Sequence, residues 1–527
     1  MDKGRVARVT DAWRTWQMRV RRVSAETWVL ITIAMFAAFM RVVSIGAFSN
    51  EYDEGVYIQS LRAMLHHASL YTTLFYPQPP FFAFAIYPFY LLFGQTLPAA
   101  RLGVAVWSLL ALPGVYLIAR ALAGRWAGNA AVLLLAVDQF FTQSSQRLQA
   151  EAPSLGMGVL GLGLVIESAR RTGRARQTLL VAGGVLLGLG VSTKLFILAL
   201  LVPAFLYAAA PLFTSMLDRE GRPQLPRGDW LSMGWREGWP DVAALAAGLV
   251  ATLLLIWGPF FLAGAPIWEQ VVRYHDVAAG QGNPLATLGT MARILTAGNL
   301  LRFGLILGFA AAVAWWRRAW ATLPIWLWLA ASLVELFRLS PLFAHHLSLF
   351  APPLAVLLSV TLVLGLASFE RRAPSVSHSP VAVTYIVLVV LALSIVSQGV
   401  VSIRDTAASL RYTSADQIAM AIVLEQLTLP QDEIVTDDPY VATLAGRAVP
   451  PQLIESSHTR VSSGYLTTTE LQRVILARDT RFVLFASGRL DTVPGFRAWV
   501  EAHFSRVANF AWDNALYEIS PSVPAPV

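Results

Sequence analysis

Four stretches of this 527-residue chain carry side chains capable of chemistry, each set between apolar runs. The first is "NEYDEGVYIQ" (50–59), which places Glu51, Asp53 and Glu54 just after an apolar run that ends near Ala47. A carboxylate there could take the proton from an attacking hydroxyl. It could also be an ordinary acid at a helix N-terminus, where the helix dipole favours negative charge. The second is "QRLQAEAPSL" (146–155), with Glu151 at the mouth of a predicted span and Arg147 one turn before it. As a helical ion pair these two would contribute only a few tenths of a kcal/mol.

The third stretch is "GVSTKLF" (190–196). All but two of the 40 basic residues are arginine, and Lys194 is the one lysine in the interior of the chain. Ionisable groups at membrane depth are costly and mark polar cavities, so Lys194 is a candidate cation for a phosphate. A lysine snorkelling to the interface is the simpler alternative. The fourth is "FRLSPLFAHHLSLFAPPL" (337–354), with Arg338, His345 and His346. Adjacent histidines cannot share one helix face, and no carboxylate in this loop completes a metal ligand set. The pair therefore reads as interfacial histidines without a metal, and Arg338 as a candidate anion ligand. The segment 263–296 carries Arg273, His275 and Asp276 and is long enough to fold over a site. No phosphate-binding glycine loop, dinucleotide fingerprint or nucleophile elbow is present.

The elements that must position these residues are membrane helices. The chain is 56% hydrophobic and 14% charged, against roughly 25% charged in soluble domains. It has no cysteine, which excludes disulfides and thiolate metal sites. Its net charge is +8, yet residues 403–527 hold 10 Arg against 14 Asp and Glu, a net of −4 that leaves +12 for the rest. The basic excess sits in short connections, as topology requires, and not in a groove for nucleic acid. "RRTGRAR" (170–176), "WWRR" (315–318), "ERRAP" (370–374) and the basic N-terminus (1–26) belong in the cytoplasm. Twelve apolar segments are readable between Trp28 and residue 402, and charge parity requires one not to cross. The short, proline-interrupted 81–95 is that one, which leaves 11 crossings. The stretch "DEGVYIQSLRAMLHHASLY" has helical spacing and is expected to lie on the outer membrane surface.

The last 125 residues differ. "EIVTDD" (433–438), "RFVLFA" (481–486) and "NALYEIS" (514–520) read as strands; 415–427 and 467–477 read as helices, with Thr467 or Thr468 as a cap. This predicts a small extracytoplasmic α/β domain over 403–527.

The order of these motifs resembles the GT-C membrane glycosyltransferases, and within them the family 39 type that includes protein O-mannosyltransferases and aminoarabinose transferases. The resemblance rests on Asp53-Glu54, "LYTTLFYPQPPFFAF" (70–84), "LFG" followed by Arg101, Glu151, "STKL" (192–195) and the tail 435–455. It implies a polytopic α-helical fold of about 11–13 transmembrane helices, with a catalytic domain over 27–402. Its outer regions are a first loop at 48–98 and a flap at 263–296. It also implies an inverting transfer of a sugar from a polyprenyl-phosphate donor, on the outer face of a bacterial plasma membrane, to a protein, lipid or glycan acceptor. Asp53 would be the base, with Glu54 its catalytic neighbour. Lys194, Glu151, Arg147, Arg338, Tyr71 and His346 would bind substrate. "PQPP" stands where the group often has His-Pro-Pro, and Glu151 where Asp is commoner. No cofactor is inferred, and a divalent metal stays open. A secondary transporter, or a non-catalytic envelope-assembly protein of the same fold, is the alternative.

Overall fold

A computed structural model of the chain describes residues 24–49, 51–210, 230–280, 284–296, 311, 319–339, 341–370, 378–478 and 480–519. "WWRR" and most of "ERRAP" lie outside the described residues. The chain opens with α1 (Ala25–Val42), α2 (Tyr52–Leu65) and α3 (Phe81–Leu92). An apolar stretch then runs through Leu97–Ala123 (α4), followed by α5 (Arg125–Val137), α6 (Gln139–Gln146), α7 (Glu151–Ser168), α8 (Gly173–Val191) and α9 (Leu198–Ala208). Beyond them lie α10 (Trp230–Leu262), α11 (Tyr274–Gly280), α12 (Pro284–Thr296), α13 (Leu323–Arg338), α14 (Ala351–Glu370) and α15 (His378–Arg411).

Among the described residues five helices are long and apolar enough to cross a membrane, or six if α6 and α7, bent by 115°, form one broken span. Three further apolar helices are shorter, α3 among them. At 12 residues α3 spans about 18 Å, well under a bilayer core of about 30 Å. α15 runs 34 residues and carries the chain past residue 402, where the apolar run ends.

Small residues let these helices approach closely. A Cβ at Gly156 of α7 would stand 2.0 Å from the Trp107 carbonyl oxygen of α4. One at Gly184 of α8 would stand 2.2 Å from the Leu245 carbonyl of α10.

The C-terminal region carries α16 (Ala415–Leu427), α17 (Pro439–Leu444), α18 (Thr468–Ala477) and a four-stranded mixed sheet. Its strands are β1 (Ile434–Thr436), β2 (Phe482–Phe485), β3 (Phe504–Asn509) and β4 (Ala515–Ile519), in the order β1-β2-β4-β3. β1 runs parallel to β2, and the other pairs are antiparallel. The three expected strands and both helices are present. Thr467 is the cap of α18, accepting from the Glu470 amide at 3.2 Å. β3 was not foreseen, because its mostly exposed pattern lacks apolar alternation. Val483, Phe485, Phe496 and Tyr517 are buried at one core, each contributing about 1.5–3 kcal/mol of burial for its aliphatic or aromatic bulk.

α2 departs from the expectation of a helix lying on a membrane surface. Residues 54–61 and Ala63 are all buried, because the C-terminal domain covers its second face. A Cβ at Gly55 would meet the Tyr440 nitrogen at 2.5 Å, so only glycine allows this approach. The Gln59 amide donates to the Thr443 hydroxyl at 3.0 Å and the Arg447 carbonyl at 2.9 Å. Tyr52 accepts from the Ser456 amide at 2.6 Å. The acidic start of α2 is thus clamped between the helical part and the C-terminal domain.

Candidate functional site

Three breaks in helical backbone converge beside the start of α2. α6 ends at Gln146 and α7 begins at Glu151. α8 ends at Val191, and Lys194 stands in extended conformation before the next turn, Leu195–Ile197. The 3-10 turn Ala344–Phe350 carries both histidines into α14. Irregular backbone at membrane depth is tolerated where it lines a polar cavity, and here each break delivers an ionisable side chain.

Glu151 is the hub. Its Oε1 lies 2.9 Å from Lys194 Nζ, 3.9 Å from His345 Nε2 and 4.0 Å from His346 Nε2. All four side chains are largely buried. Lys194 also lies 5.2 Å from the Phe196 ring centroid, and the other edge of His346 accepts from the Phe343 amide at 3.2 Å. Gln149 Nε2 and His345 Nδ1 are 3.3 Å apart.

One ligand atom each from Glu151, His345 and His346 falls within 4.8 Å of the others, a donor set a divalent ion could accept. The carboxylate comes from α7, far from the histidine loop in sequence, so the loop alone gave no sign of a ligand set. Lys194 already supplies a cation to the same Glu151 oxygen, so an ion bound there would have to displace the ammonium.

The acids of α2 have separate fates. Glu54 is fully buried: Arg101 Nε donates to it at 2.7 Å and Nη2 at 2.6 Å, and the Ser49 hydroxyl and the Leu148 amide donate at 2.6 Å each. Burial pushes its pKa up, but Arg101 and these hydrogen bonds outweigh it and hold the group below the ordinary glutamate range. Glu51 is ion-paired with Arg147. Arg147 therefore does not pair with Glu151, because the chain bends between them and the one-turn spacing of a helix is lost. Burial, against the pull of Arg147, raises the Glu51 pKa.

Asp53 is different. Among the described residues its carboxylate has no ion-pair or hydrogen-bond partner, while Glu51, Glu54 and Glu151 are each paired. Burial raises its pKa above the ordinary aspartate value, against the opposing charges of His345 and Lys194.

The other expected site residues do not join this cluster. Tyr71 is buried at positive φ and serves the loop after α2, donating to the Gln78 carbonyl at 2.7 Å. Arg338 is exposed at the rim and lies 3.5 Å from Asp276. His275, whose role the sequence left open, belongs to the surroundings of Lys194 and His346. Burial, then the Lys194 ammonium, press its pKa down to about 4. Its Nδ1–H donates to the Val271 carbonyl at 2.9 Å, which leaves Nε2 an acceptor.

The sequence profile of the dolichyl-phosphate-mannose-protein mannosyltransferase family matches residues 77–219, well short of half the chain. No curated protein matches. Apo ArnT from Cupriavidus metallidurans superposes over 96% of this chain and 100% of its own, at 16% identity and a TM-score of 0.61. ArnT bound to undecaprenyl phosphate gives 0.58 at 15% identity, covering 96% of this chain and 100% of its own. The oligosaccharyltransferase AglB from Archaeoglobus fulgidus, solved with an inhibitory peptide and a dolichol-phosphate, gives 0.53 at 14% identity over 95% of this chain and 75% of its own.

The chain has the GT-C fold. A GT-C protein of this build is a multi-pass membrane protein, in agreement with its apolar helices.

Proposed function

We propose that this protein is an inverting glycosyltransferase. It moves a sugar from a polyprenyl-phosphate donor to an acceptor hydroxyl on the extracytoplasmic face of a cell membrane. The observation that carries this reading is the unpartnered Asp53 carboxylate beside the Lys194–Glu151 pair. The GT-C fold and the undecaprenyl phosphate and dolichol-phosphate in the ArnT and AglB structures support the donor class. The basic connection at 170–176 supports an outward-facing site.

The chemistry follows from the side chains. The acceptor oxygen attacks the anomeric carbon, and its proton passes to Asp53. The new bond from oxygen to the anomeric carbon forms as the bond from that carbon to the phosphate oxygen breaks. The electron pair leaves with the phosphate, and a single displacement inverts the centre. Lys194 has N–H donors beyond the one that faces Glu151, and these neutralise the departing phosphate. Glu151 fixes the ammonium, and His346 with His345 completes the polar wall. Glu54 acts through Arg101: it ties the first turn of α2 to α4 and so aims Asp53. Arg147 does the same for Glu51. Tyr71 shapes the loop that follows α2, and Arg338 with Asp276 marks the rim. Should a divalent ion bind, Glu151, His345 and His346 would hold it, and it would add positive charge near the phosphate.

Glu151, Lys194, His345 and His346 meet at helix ends, which favours this reading over a transporter, whose sites lie mid-span at the interface of repeats. The test is to incubate the purified chain in lipid with a radiolabelled polyprenyl-phosphate sugar and follow release of free polyprenyl phosphate. Release is expected. A protein that leaves every such donor intact while moving a solute across sealed vesicles is not a transferase.

A further inference from the structure

A cavity of about 230 Å³ lies on the other flank of Arg147 and Glu54. Its lining includes neither Asp53, Glu151 nor Lys194. The walls come from the turn after α1, from α6 and from the far end of α15. Nothing in the proposed reaction uses it.

Its chemistry is specific. Ser44 is 3% exposed and lines the cavity, though its hydroxyl is turned away from the open space. The side-chain amides of Gln143 and Gln146 use their N–H groups on Asp405, at 2.9 Å, and on Thr406, at 3.0 Å. Their amide oxygens accept nothing from the described residues. Arg147 spends one nitrogen on Glu51, and its remaining N–H groups donate to no described residue. Free donors and free acceptors therefore share the wall. At the mouth Phe48 and Tyr412 stand with ring centroids 6.1 Å apart, and Tyr412 is exposed.

This combination selects among ligands. A phosphate or carboxylate would face Asp405, Glu54 and two amide oxygens. A cation would face Arg147 and Arg101. A neutral ring carrying hydroxyls, each both donor and acceptor, satisfies the amides and Arg147 together. Its C–H face suits the aromatic pair. The volume equals that of roughly eight liquid waters, room for one sugar ring. From this juxtaposition we infer that the cavity is a saccharide subsite. On the proposed transferase reading, on which this assignment of the ligand rests, it holds a ring of the acceptor remote from the reacting hydroxyl. Arg147 then connects the two sites, touching the bound saccharide on one side and Glu51 on the other.

The test uses the full chain in nanodiscs and saturation-transfer NMR. The probes are methyl α-D-mannopyranoside, methyl β-D-galactopyranoside and methyl α-D-arabinofuranoside, with inorganic phosphate added as a competitor. Saturable binding of at least one glycoside, not displaced by phosphate, is expected. Ala408→Trp stands at the exposed rim and blocks the mouth, so it should weaken that binding at least tenfold. Gln143→Ala, which adds no bulk, should weaken it severalfold. Lys194→Ala should leave it unchanged. If no glycoside binds, if both cavity variants bind like the parent, or if Lys194→Ala abolishes binding, the inference is wrong. Should Ala408→Trp fail to fold, Gln143→Ala decides. Failure of the transferase reading would look different: glycosides would still bind, but no sugar would be transferred.

Discussion

Replacing Glu54 with Gln separates a positioning acid from a catalytic one. Glu54 and Arg101 are almost fully enclosed, their side chains 1% and 3% exposed. The carboxylate accepts four hydrogen bonds, two from Arg101, one from Ser49 and one from the Leu148 amide, all between 2.6 and 2.7 Å. Removing one charge from such a pair leaves the other buried and uncompensated, which costs about 3–5 kcal/mol. In Glu54→Gln the new NH2 also faces donors. With a slope of about 2 °C per kcal/mol, an upper value for a chain of this size, the melting temperature should fall by several degrees to about 10 °C. The double variant Glu54→Leu/Arg101→Met removes both charges and should regain most of that stability. It should not regain activity, because nothing then fixes the first turn of α2. Thermal unfolding in detergent by tryptophan fluorescence, run beside a donor-turnover assay, gives both readings. A Glu54→Gln protein that melts like the parent yet transfers no sugar would refute the reasoning and make Glu54 a direct participant.

Three further outcomes follow from the same geometry. Gly55→Ala places a methyl against the Tyr440 backbone, so it should loosen the clamp. Hydrogen exchange should then rise in 439–455 and in α2, and kcat should drop at least tenfold. Lys194→Ala should raise the KM for the polyprenyl-phosphate donor and cut kcat by about 10²-fold or more, with Lys194→Arg recovering part of it; unchanged donor kinetics would remove Lys194 from the phosphate site. A base must be ionised to act, and burial raises the pKa of Asp53. The rate should therefore climb with pH through an acid limb whose midpoint lies above the ordinary aspartate value, and His275, already neutral above about 4, should add no second limb between pH 5 and 7.

Parts of this architecture were legible because local signals agreed. The C-terminal helices and three strands follow from alternation and from the Thr467 cap. Glu151 and Lys194 stood out as ionisable groups at the ends of apolar runs, and the fold brings them together because both ends are helix breaks. Other parts depended on tertiary partners. The apolar stripe of α2 reveals one buried face, but its second face is covered through Gln59 and Gly55, which no hydrophobic period reports. The histidines gained their carboxylate from α7. Arg147 turned to Glu51 because the chain bends where a helix was expected. Tyr71 sits in a motif of the right composition, yet its hydroxyl is used within its own loop.

The account rests on Asp53, the one acid of the cluster whose carboxylate no described residue occupies. Asp53→Asn keeps the size and removes the base. Sugar transfer from a polyprenyl-phosphate donor, measured at saturating donor in the folded variant, should fall at least about 10²-fold, with the melting temperature within a degree or so of the parent. Transfer at the parental rate in Asp53→Asn would contradict the central claim.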